Sequence, residues 1–508
     1  MRPSKRSSAL GLVIALVAGT SACGEATAPD SSAEVGQVQI SHCEFTEVPR
    51  TIPPGDARSD RIRPSRQNPC YWEYKGKPLL LLGASNEDNI FNHPDLPPAG
   101  LEAHLDLLVE SGGNYIRNTM SSRDEGNLWP FHRLADGSYD LDRWNEAYWD
   151  RLSALLDAAL EREIIVQLEI WDRFDFSQGP WEKNPFNPAN TRDYTAEASG
   201  LPERVDSHPA QKENPFFRSI PDLDDLPRVL EYQTALVDRL LDITLEYPNV
   251  LYTISNETNE SPSWSRHWAQ RVQARARERN IGVEITEMWD PWDLSDPMHR
   301  ATFDHPELYS YVDISQNNHQ MSQDHWDRAQ RALSRSVADP PRPANSVKIY
   351  GGERHGGGTE EGTRKLWRNI FGGLASSRFH RPSNPLNPSG IGLNPLAQRQ
   401  LGSARMFTDS MNVFRAAPRL DLLSDRESDE AYAMADQGVE YAVYFPDGGS
   451  VTLDLVGASG PMAPRWLEIM TGEWTTGSTL QGGTAVSLSP PGPGPWAVLI
   501  QRTQEVNR

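Results

Sequence analysis

Short apolar runs alternate with longer stretches of helical periodicity from Leu79 onward. Eight such runs follow one another, and each is mostly apolar where it begins and polar or aromatic where it ends. They are PLLLLGASNED, GNYIRNTM, IIVQLEIWDRFD, VLYTISNETN, GVEITEMWD, VDISQNNHQ, VKIYGGERHG and GGLASSRFHRP. Strands that alternate with helices indicate an α/β fold with a parallel sheet. Eight such units predict a (β/α)8 TIM barrel, whose active sites lie at the carboxyl ends of the strands, with a doubly wound open sheet as the alternative.

The segments between the runs have the spacing of amphipathic helices. They are LEAHLDLLVESG, WNEAYWDRLSALLDAALERE, PRVLEYQTALVDRLLDITLEYP, WSRHWAQRVQARARERN, HWDRAQRALSRSVA and GTRKLWRNIFGG. A further helix near LAQRQLGSARMFTDSMNVFR closes the barrel, which we assign to residues 43–418. The connection after the third run, residues 177–217, is rich in Pro, Asn and aromatic residues. Long loops in compact domains are usually functional, so we expect a structureless lid or binding loop there.

The pattern changes in residues 421–505, where apolar residues alternate with a period of two. The apolar segments EAYAMADQ, VEYAVYFP, SVTLDLVG, PRWLEIMT, TAVSLSP and PWAVLIQR are separated by turns such as PDGGS and PPGPGP. Short strands of this kind predict a small C-terminal antiparallel β-sandwich.

The N-terminus has the features of a bacterial export signal. Basic residues precede an apolar run from Ala9 to Ala18, which is too short for a stable membrane span. The sequence TSAC before Cys23 is similar to a lipobox, although Thr20 replaces the usual Leu. We therefore predict a signal peptide in residues 1–22, a lipidated Cys23 and a disordered tether in residues 23–42, with plain cleavage near Ala22 as the alternative. The protein would be an exported, membrane-anchored lipoprotein in the periplasm or at the cell surface.

The other two cysteines are Cys43 and Cys70. In an oxidising compartment an even pair of cysteines commonly forms a disulfide bond. We predict that bond, which would link the segment before the barrel to its first strand, and two free thiols are the alternative.

The composition excludes several classes of function. Asp and Glu number 70 against 49 Lys and Arg, and a formal charge of -21 would repel a phosphate backbone, so nucleic acid is not an expected partner. We find neither a Gly-rich phosphate loop nor a dinucleotide fingerprint, and we expect no cofactor. No Gly-x-Ser-x-Gly elbow of a serine hydrolase is present.

Metal chemistry is not expected either. Histidines lie near the ends of several predicted strands, at positions 93, 319, 355 and 380. None has the paired spacing of a zinc motif such as H-E-x-x-H, and GASNEDNIFNHPD lacks the ligand spacing of an EF-hand.

Two glutamates occupy comparable positions on opposite sides of the predicted barrel. Glu257 ends the fourth run and Glu353 ends the seventh. Hydrolysis of a glycosidic bond needs one carboxyl group to protonate the leaving oxygen and another to attack or to activate water. Across a barrel mouth, such side chains can approach the separation of about 5 Å that retaining enzymes use.

This layout resembles clan-A glycoside hydrolases. In that superfamily an Asn-Glu pair on strand four supplies the acid/base and a Glu on strand seven is the nucleophile, which implies these roles for Asn256-Glu257 and Glu353. The chain after the tether more narrowly resembles bacterial apiosidase-like barrels. Their C-terminal domain, matched here by YFPDGGSVTLDLVGASG and RWLEIMTGEWTTG, is catalogued as collagen-binding, which is a label and not evidence of that activity.

Further residues at the same strand ends are candidates for substrate binding. Asn256 is expected to donate to a sugar 2-hydroxyl, Arg117 to hold Glu353 ionised, and His319 to orient the nucleophile or bind a hydroxyl. Carboxylates that would bind sugar hydroxyls, and rings that would stack on a sugar, are Glu87, Asp88, Glu169, Asp172, Trp171 and Trp289. Trp292 is a similar candidate, and we expect one of Trp289 and Trp292 to lie in the core. Structural ion pairs with Arg123 or Arg173 are the alternative for the carboxylates.

The sequence therefore predicts a monomeric retaining glycoside hydrolase that acts on an oligosaccharide or polysaccharide. The alternative is a non-catalytic surface lipoprotein that binds glycans or matrix protein through the same aromatic mouth. A separation of Glu257 and Glu353 well beyond about 10 Å would exclude the retaining mechanism.

Overall fold

The computed structural model describes residues 60–93, 100–352, 356–382 and 389–503, where the chain forms 23 strands and ten α-helices. The strands are β1 (Arg63–Pro64), β2 (Trp72–Tyr74), β3 (Lys77–Leu79), β4 (Leu81–Ala84), β5 (Tyr115–Thr119), β6 (Phe131–Arg133), β7 (Tyr139–Trp144), β8 (Ile165–Asp172), β9 (Val250–Asn256), β10 (Ile285–Thr286), β11 (Val312–Asp313), β12 (Ala344–Asn345), β13 (Ser376–Phe379), β14 (Ala417–Pro418), β15 (Leu423–Ser424), β16 (Tyr432–Asp436), β17 (Glu440–Phe445), β18 (Val451–Asp454), β19 (Pro461–Glu468), β20 (Glu473–Thr476), β21 (Leu480–Gln481), β22 (Ala485–Leu488) and β23 (Trp496–Arg502). The helices are α1 (Leu101–Glu110), α2 (Glu146–Glu161), α3 (Gln178–Lys183), α4 (Ala196–Ser199), α5 (Pro227–Thr244), α6 (Pro262–Glu278), α7 (Pro297–Phe303), α8 (Ser322–Ala332), α9 (Gly358–Phe371) and α10 (Pro395–Ser410).

A parallel sheet carries most of the predicted barrel strands. Six of the eight apolar runs form one sheet in the order β10, β9, β8, β5, β4, β13, so the first and the last run are neighbours. The sixth run supplies β11, which pairs in parallel with β12, a strand just before the seventh run. The protein thus has the mixed α/β fold with a parallel sheet that the alternation of runs and helices predicts.

The seventh run differs from its prediction. We expected a strand in VKIY, but β12 lies just before it and the ladder is interrupted there. The backbone N–H of Ser346 donates to Ser376 Oγ at 3.0 Å, and that of Val347 donates to Ser315 Oγ at 2.8 Å. Serine hydroxyls therefore replace ladder carbonyls, and pairing resumes in a parallel bridge between Ile349 and Phe379.

Three helices, α6, α7 and α10, begin with a proline that follows a capping residue. Pro262 is the first residue of α6, and the preceding Ser261 accepts the N–H of Ser263 with its side chain. Pro395 likewise opens α10, and Asn394 accepts the N–H of Ala397 at 2.9 Å. Proline suits this position because its missing N–H would have no partner within the helix.

The connection after the third run is not the structureless lid that we expected. It contains α3 and α4, and several of its aromatic rings are buried. Phe216 stacks on Phe176 with ring centroids 3.9 Å apart, and Phe217 contacts Trp264 of α6 at 5.3 Å. Aromatic residues that suggested a flexible binding loop therefore pack it against the sheet and α6.

Two antiparallel elements in the N-terminal half were not predicted. Strands β1, β2 and β3 form a three-stranded sheet, and β6 and β7 form a two-stranded one. Trp72 of β2 is fully buried and donates its indole N–H to Asn345 of β12 at 2.9 Å. The first of these sheets is thereby fixed to β12.

The C-terminal strands form two antiparallel sheets, one with seven strands and one with three. Side chains of the larger sheet alternate between two hydrophobic clusters. Tyr444 and Leu499 belong to the main core, whereas Val443 and Val498 belong to a second cluster that includes Val451 of the smaller sheet. Both faces of the larger sheet are covered, so its central strands β17 and β23 are buried along most of their length and do not show the alternation with a period of two that the sequence predicted.

The larger C-terminal sheet packs on the last two helices. Trp367 of α9 stacks on Tyr444 at 5.7 Å, and Phe407 of α10 stacks on Trp474 at 6.0 Å. Ser403 of α10 also donates its hydroxyl to the carbonyl of Ile469 at 2.7 Å. The tail is therefore a part of the main hydrophobic core.

The predictions for the N-terminus concern residues outside the described part of the chain, among them Cys23 and Cys43. Cys70 forms a disulfide bond. Its pairing with Cys43 stays a prediction. Among the described helices, none combines the length and the apolar character that a membrane span requires.

The buried carboxyl group of Glu287, the residue directly after β10, joins the ends of β9 and β10. It accepts the backbone N–H of Ser255 at 2.7 Å and that of Met288 at 3.0 Å. Burial raises the pKa of Glu287 to about 8, although these hydrogen bonds act in the opposite direction. The folded protein therefore keeps a proton that the unfolded chain loses near the ordinary pKa of 4.5.

Replacing Glu287 by Gln should remove a pH dependence of the stability. Between about pH 4.5 and 8 unfolding releases one proton, so the parent loses stability as the pH rises, with a slope of up to about 1.4 kcal/mol per unit. Gln resembles the protonated acid, and E287Q should be more stable than the parent at pH 8 but similar at pH 5. Urea unfolding at both values checks this, with the exposed Glu163→Gln as the control. An E287Q protein that is less stable than the parent at pH 8 would contradict it.

Candidate active site

Charged side chains gather at the carboxyl ends of the parallel strands. Arg117 on β5 lies at the centre of this cluster and is completely buried. Its guanidinium group donates to Glu169 on β8 at 2.6 Å, to Asp88 after β4 at 2.5 Å and to Asn256 on β9 at 3.0 Å. The structure thus brings together four of the residues that the sequence assigned to one mouth.

A lysine on the seventh run completes the cluster. Lys348 is 2% exposed, and its ammonium group contacts both Asn256 Oδ1 and, at 2.6 Å, Glu257 Oε1. Arg117 and Lys348 therefore meet on the same amide oxygen. Because neither side chain can accept a hydrogen bond, this contact fixes the orientation of the Asn256 amide.

The amide nitrogen of Asn256 consequently points away from the two cations. It makes no hydrogen bond to the residues that the structure describes, so it is available as a donor. Donation to a sugar hydroxyl is the role that the sequence predicted for Asn256, and this geometry permits it.

The backbone at Glu257 is unusual for a residue with a side chain. Its φ angle is 47°, in the left-handed region that favours glycine. The next residue, Thr258, exchanges backbone hydrogen bonds with the end of the fifth run, at 2.9 Å to Met288 and 2.9 Å from Asp290. A strained conformation of this kind costs of order 1–3 kcal/mol and persists where neighbouring structure enforces it, often at functional sites.

The carboxylate of Glu257 is held by one of its oxygens. Lys348 and the hydroxyl of Tyr350, at 2.6 and 2.9 Å, both donate to Oε1. Oε2 accepts no hydrogen bond from the described residues, and 16% of the side chain is exposed. One oxygen is therefore anchored by the protein while the other remains for a ligand.

Neighbouring cations favour the ionised form of two carboxylates of the cluster, Glu257 and Asp88, whereas burial raises the pKa of the third, Glu169. Burial alone would favour the neutral acid, but Lys348, Arg173 and Tyr350 hold the pKa of Glu257 well below its usual value. Arg117 and Arg381 do the same for the pKa of Asp88, again against the effect of burial. Burial also raises the pKa of Tyr350 well above its usual range, so its hydroxyl stays a donor.

A row of rings borders Glu257 on the side of the sixth run. His319 stacks on Trp292 with centroids 3.9 Å apart and lies 4.6 Å from the ring of Tyr350. Trp292 is 57% exposed. His319 therefore supports a ring at the surface as well as the tyrosine that donates to Glu257.

The remaining predicted carboxylates lie on the opposite side of the mouth. Asp172 forms an ion pair with Arg123, which is the structural alternative considered for it. Burial raises the pKa of Glu87, which lies beside His93 and Asp124.

The predicted stacking role of two tryptophans needs correction. Trp171 is 2% exposed and packs against Phe216 and Trp268, with centroids 5.5 and 5.4 Å away. Trp289 is 1% exposed and donates its indole N–H to Thr302 at 2.7 Å. Both rings lie in the core against helices, Trp171 on Trp268 of α6 and Trp289 on Thr302 of α7, and neither is exposed for stacking on a sugar.

Two residues of this site were not predicted from the sequence. Lys348 and Tyr350 alternate with apolar neighbours in SVKIYGG, which was assigned only as a strand. A lysine inside a buried strand was the available signal, because an ammonium group there requires a partner.

The second predicted catalytic residue, Glu353, lies outside the described part of the chain. Its separation from Glu257 and its contact with Arg117 therefore stay predictions. The cation that contacts Glu257 is Lys348, while Arg117 pairs with Asp88 and Glu169.

Two clusters in the described part of the chain bring three potential metal ligands within 4.8 Å of one another. Their members are Glu87, His93 and Asp124 in one cluster, and Asp140, Asp142 and Asp193 in the other. In the second cluster Asp140 pairs with Arg192, and Asp193 accepts the N–H of Leu141 at 2.6 Å. These carboxylates already have protein partners.

No family model and no curated protein matches the sequence. Solved structures match in fold. A glycoside hydrolase of family 5 from Bacteroides vulgatus superposes with a TM-score of 0.61 at 13% identity, over 88% of this chain and 94% of its own. The chain shares the fold of this structure. A second structure, described as a glycoside hydrolase, gives 0.59 at 13% identity over 88% and 98% of the two chains.

A mannosidase of the same family from Rhizomucor miehei gives a TM-score of 0.50 at 13% identity, over 71% of this chain and 99% of its own. The first two structures therefore extend over much of the C-terminal region, and the mannosidase over less of the chain. Identities this low establish the fold and leave the activity to be argued from the site.

Replacing Arg117 by Met should destabilise the protein by about 3–5 kcal/mol, because it leaves the buried Asp88 and Glu169 without their shared cation. Urea unfolding at neutral pH measures the change. Lys75→Met, which breaks the exposed ion pair between Lys75 and Glu163, is the control and should cost less than about 1 kcal/mol. Equal effects of the two substitutions would show that the buried network does not carry this energy.

Proposed function

We propose that the protein is a retaining glycoside hydrolase that cleaves an O-glycosidic bond of an oligosaccharide or polysaccharide. Glu257 is the acid/base and Glu353 the nucleophile. The observation that carries this proposal is the carboxylate of Glu257, which a strained backbone presents at the end of β9. One of its oxygens is anchored, and the other accepts no hydrogen bond from the described residues. The fold, shared with family 5 glycoside hydrolases, supports the assignment.

The proposed reaction has two steps. In the first, Glu257 protonates the leaving glycosidic oxygen while Glu353 attacks the anomeric carbon and forms a glycosyl-enzyme. In the second, Glu257 removes a proton from water, which hydrolyses that intermediate. Asn256 would donate its amide to the sugar 2-hydroxyl in both steps.

The complete architecture is part of the proposal. We propose that β4, β5, β8, β9, β10, β11, β12 and β13 form a (β/α)8 barrel. Backbone hydrogen bonds from Ala375 and Arg378 of the eighth run to Ala344 and Ser346 of the seventh, at 2.9 and 3.0 Å, support this closure. The second hydrophobic cluster between the two C-terminal sheets supports a β-sandwich in the tail.

The cellular context is proposed from the sequence alone. The basic residues and apolar run before Cys23 support export and lipid anchoring. The disulfide bond at Cys70 is consistent with an oxidising compartment.

A screen of plant and bacterial polysaccharides, including pectins that carry apiose and arabinose, tests the activity. The wild type should release sugar from at least one glycan. Glu257→Gln and Glu353→Gln should each reduce that rate by about 10²- to 10⁴-fold, because each removes a group that acts in the transition state. The anomeric configuration of the first product, followed by NMR, should match that of the substrate.

Glu163→Gln is the matched control, since it makes the same change at an exposed site, and it should keep the wild-type rate. Glu257→Gln leaves the buried Lys348 without its carboxylate partner and should lower the unfolding midpoint, so each variant is assayed well below its own midpoint, where a loss of rate reports chemistry. Variants at positions 257 and 353 that both cleave every glycan as fast as the wild type would refute the proposal.

A further inference from the structure

The contact between Lys348 and Glu257 has no counterpart in the proposed two-carboxylate scheme. A general acid must carry a proton, whereas an ammonium group 2.6 Å away stabilises the ionised form. The pair lies at the reacting end of the barrel and not on its outside. The ion pair therefore bears directly on the proton that Glu257 must donate in the reaction.

The geometry distinguishes this pair from an ordinary structural ion pair. Among the described residues, Glu257 is the single carboxylate within ion-pair distance of Lys348. The ammonium group is buried beneath the carboxylate, whose own side chain remains partly exposed. A ligand in the mouth would therefore reach Glu257 first, with Lys348 behind it.

The spacing of Lys348 and Tyr350 in the seventh run explains why both donate to the same carboxylate oxygen. Lys348 and Tyr350 are two residues apart in an extended segment, so their side chains project to the same side. Both reach Oε1 of Glu257. They fix the carboxylate in one rotation and leave Oε2 for the ligand.

We infer that Lys348 is a positioning residue for Glu257: its ammonium group orients the carboxylate and keeps it ionised in the substrate-free protein. Lys348 acts on the charge of Glu257 directly, and the effect of Lys348 on catalysis rests on the proposed function. Substrate that displaces or weakens the contact would allow Glu257 to take up the proton it must donate.

Other charged groups also surround this carboxylate. Those that face it or its neighbours from the packed elements are Tyr350, Arg173, Asp290, Arg117, Glu169, Asp88, His319 and His380. Arg173 pairs with Asp290 at 2.8 Å, and Arg117 pairs with Asp88 and Glu169. These cations are thus partly neutralised by their own partners, whereas Lys348 contacts only Glu257 among the described carboxylates.

Titration of Glu257 by NMR tests the inference without any substrate. The side-chain carboxyl carbon is labelled in all glutamates, and the Glu257 signal is the one that Glu257→Gln removes. Lys348→Met should raise the titration midpoint by about 1–3 pH units, the usual effect of one adjacent charge. Lys348→Arg keeps the charge and should leave the midpoint near that of the wild type.

Tyr350→Phe separates the ammonium group from the hydroxyl. It removes a donor to the same oxygen without removing charge, so its midpoint should rise less than that of Lys348→Met. If Lys348→Met does not fold, Tyr350→Phe still tests the inference. A titration midpoint of Glu257 near that of free glutamate in Tyr350→Phe would show that Lys348 does not keep the carboxylate ionised. An unchanged midpoint in folded Lys348→Met would overturn the inference as well.

The pH profile of sugar release gives the second readout. The limb of the kcat/KM profile that belongs to Glu257 should move to higher pH in Lys348→Met by the same amount as the NMR midpoint. Absence of cleavage by the wild type on every glycan would refute the proposed function while the NMR result still tests Lys348. Cleavage with an identical profile in Lys348→Met would refute the inference alone.

Discussion

The meeting of Arg117 and Lys348 on one amide oxygen is the contact on which the site depends. It joins the second, fourth and seventh runs of the parallel sheet through the side chain of Asn256. Two buried cations are tolerated there because three carboxylates, those of Asp88, Glu169 and Glu257, surround them. Removal of any one charge would leave an unpaired partner in a poorly solvated interior, so each charged residue of this network requires the others.

The ion pair between Lys348 and Glu257 gives a physical reason for the strained backbone of Glu257. In ordinary strand geometry the side chain at position 257 would continue the alternation in direction of Ser255 and Asn256. The left-handed conformation of Glu257 changes the direction of its side chain. Thr258 is then returned to the end of the fifth run by two backbone hydrogen bonds. The ion pair with Lys348 and these hydrogen bonds stabilise the turn from both sides.

The sequence predicted the parts of the site that follow from strand periodicity. Arg117, Glu169 and Asn256 converge because carboxyl ends of adjacent parallel strands share one edge, which is a general property of such sheets. Lys348 was missed because its partner Glu257 follows β9, which does not pair with the seventh run. A contact between such distant segments depends on a register that serine hydroxyls alter at Ser346 and Val347. Trp171 was misplaced because an apolar run without alternation does not show which side chains face inward.

A binding module without catalysis would need the carboxylate of Glu257 only as a hydrogen-bond acceptor. An acceptor has no need of a strained backbone, because a carboxylate on an unstrained loop could bind hydroxyl groups as well. Nor does it need a buried ammonium group behind it, since that group competes with the ligand for the negative charge. A residue that must both give and take a proton has the opposite requirement: its charge must be set by a neighbour, and its second oxygen must stay open. Glu257 meets that requirement through Lys348, so the described geometry favours an enzyme over a passive receptor.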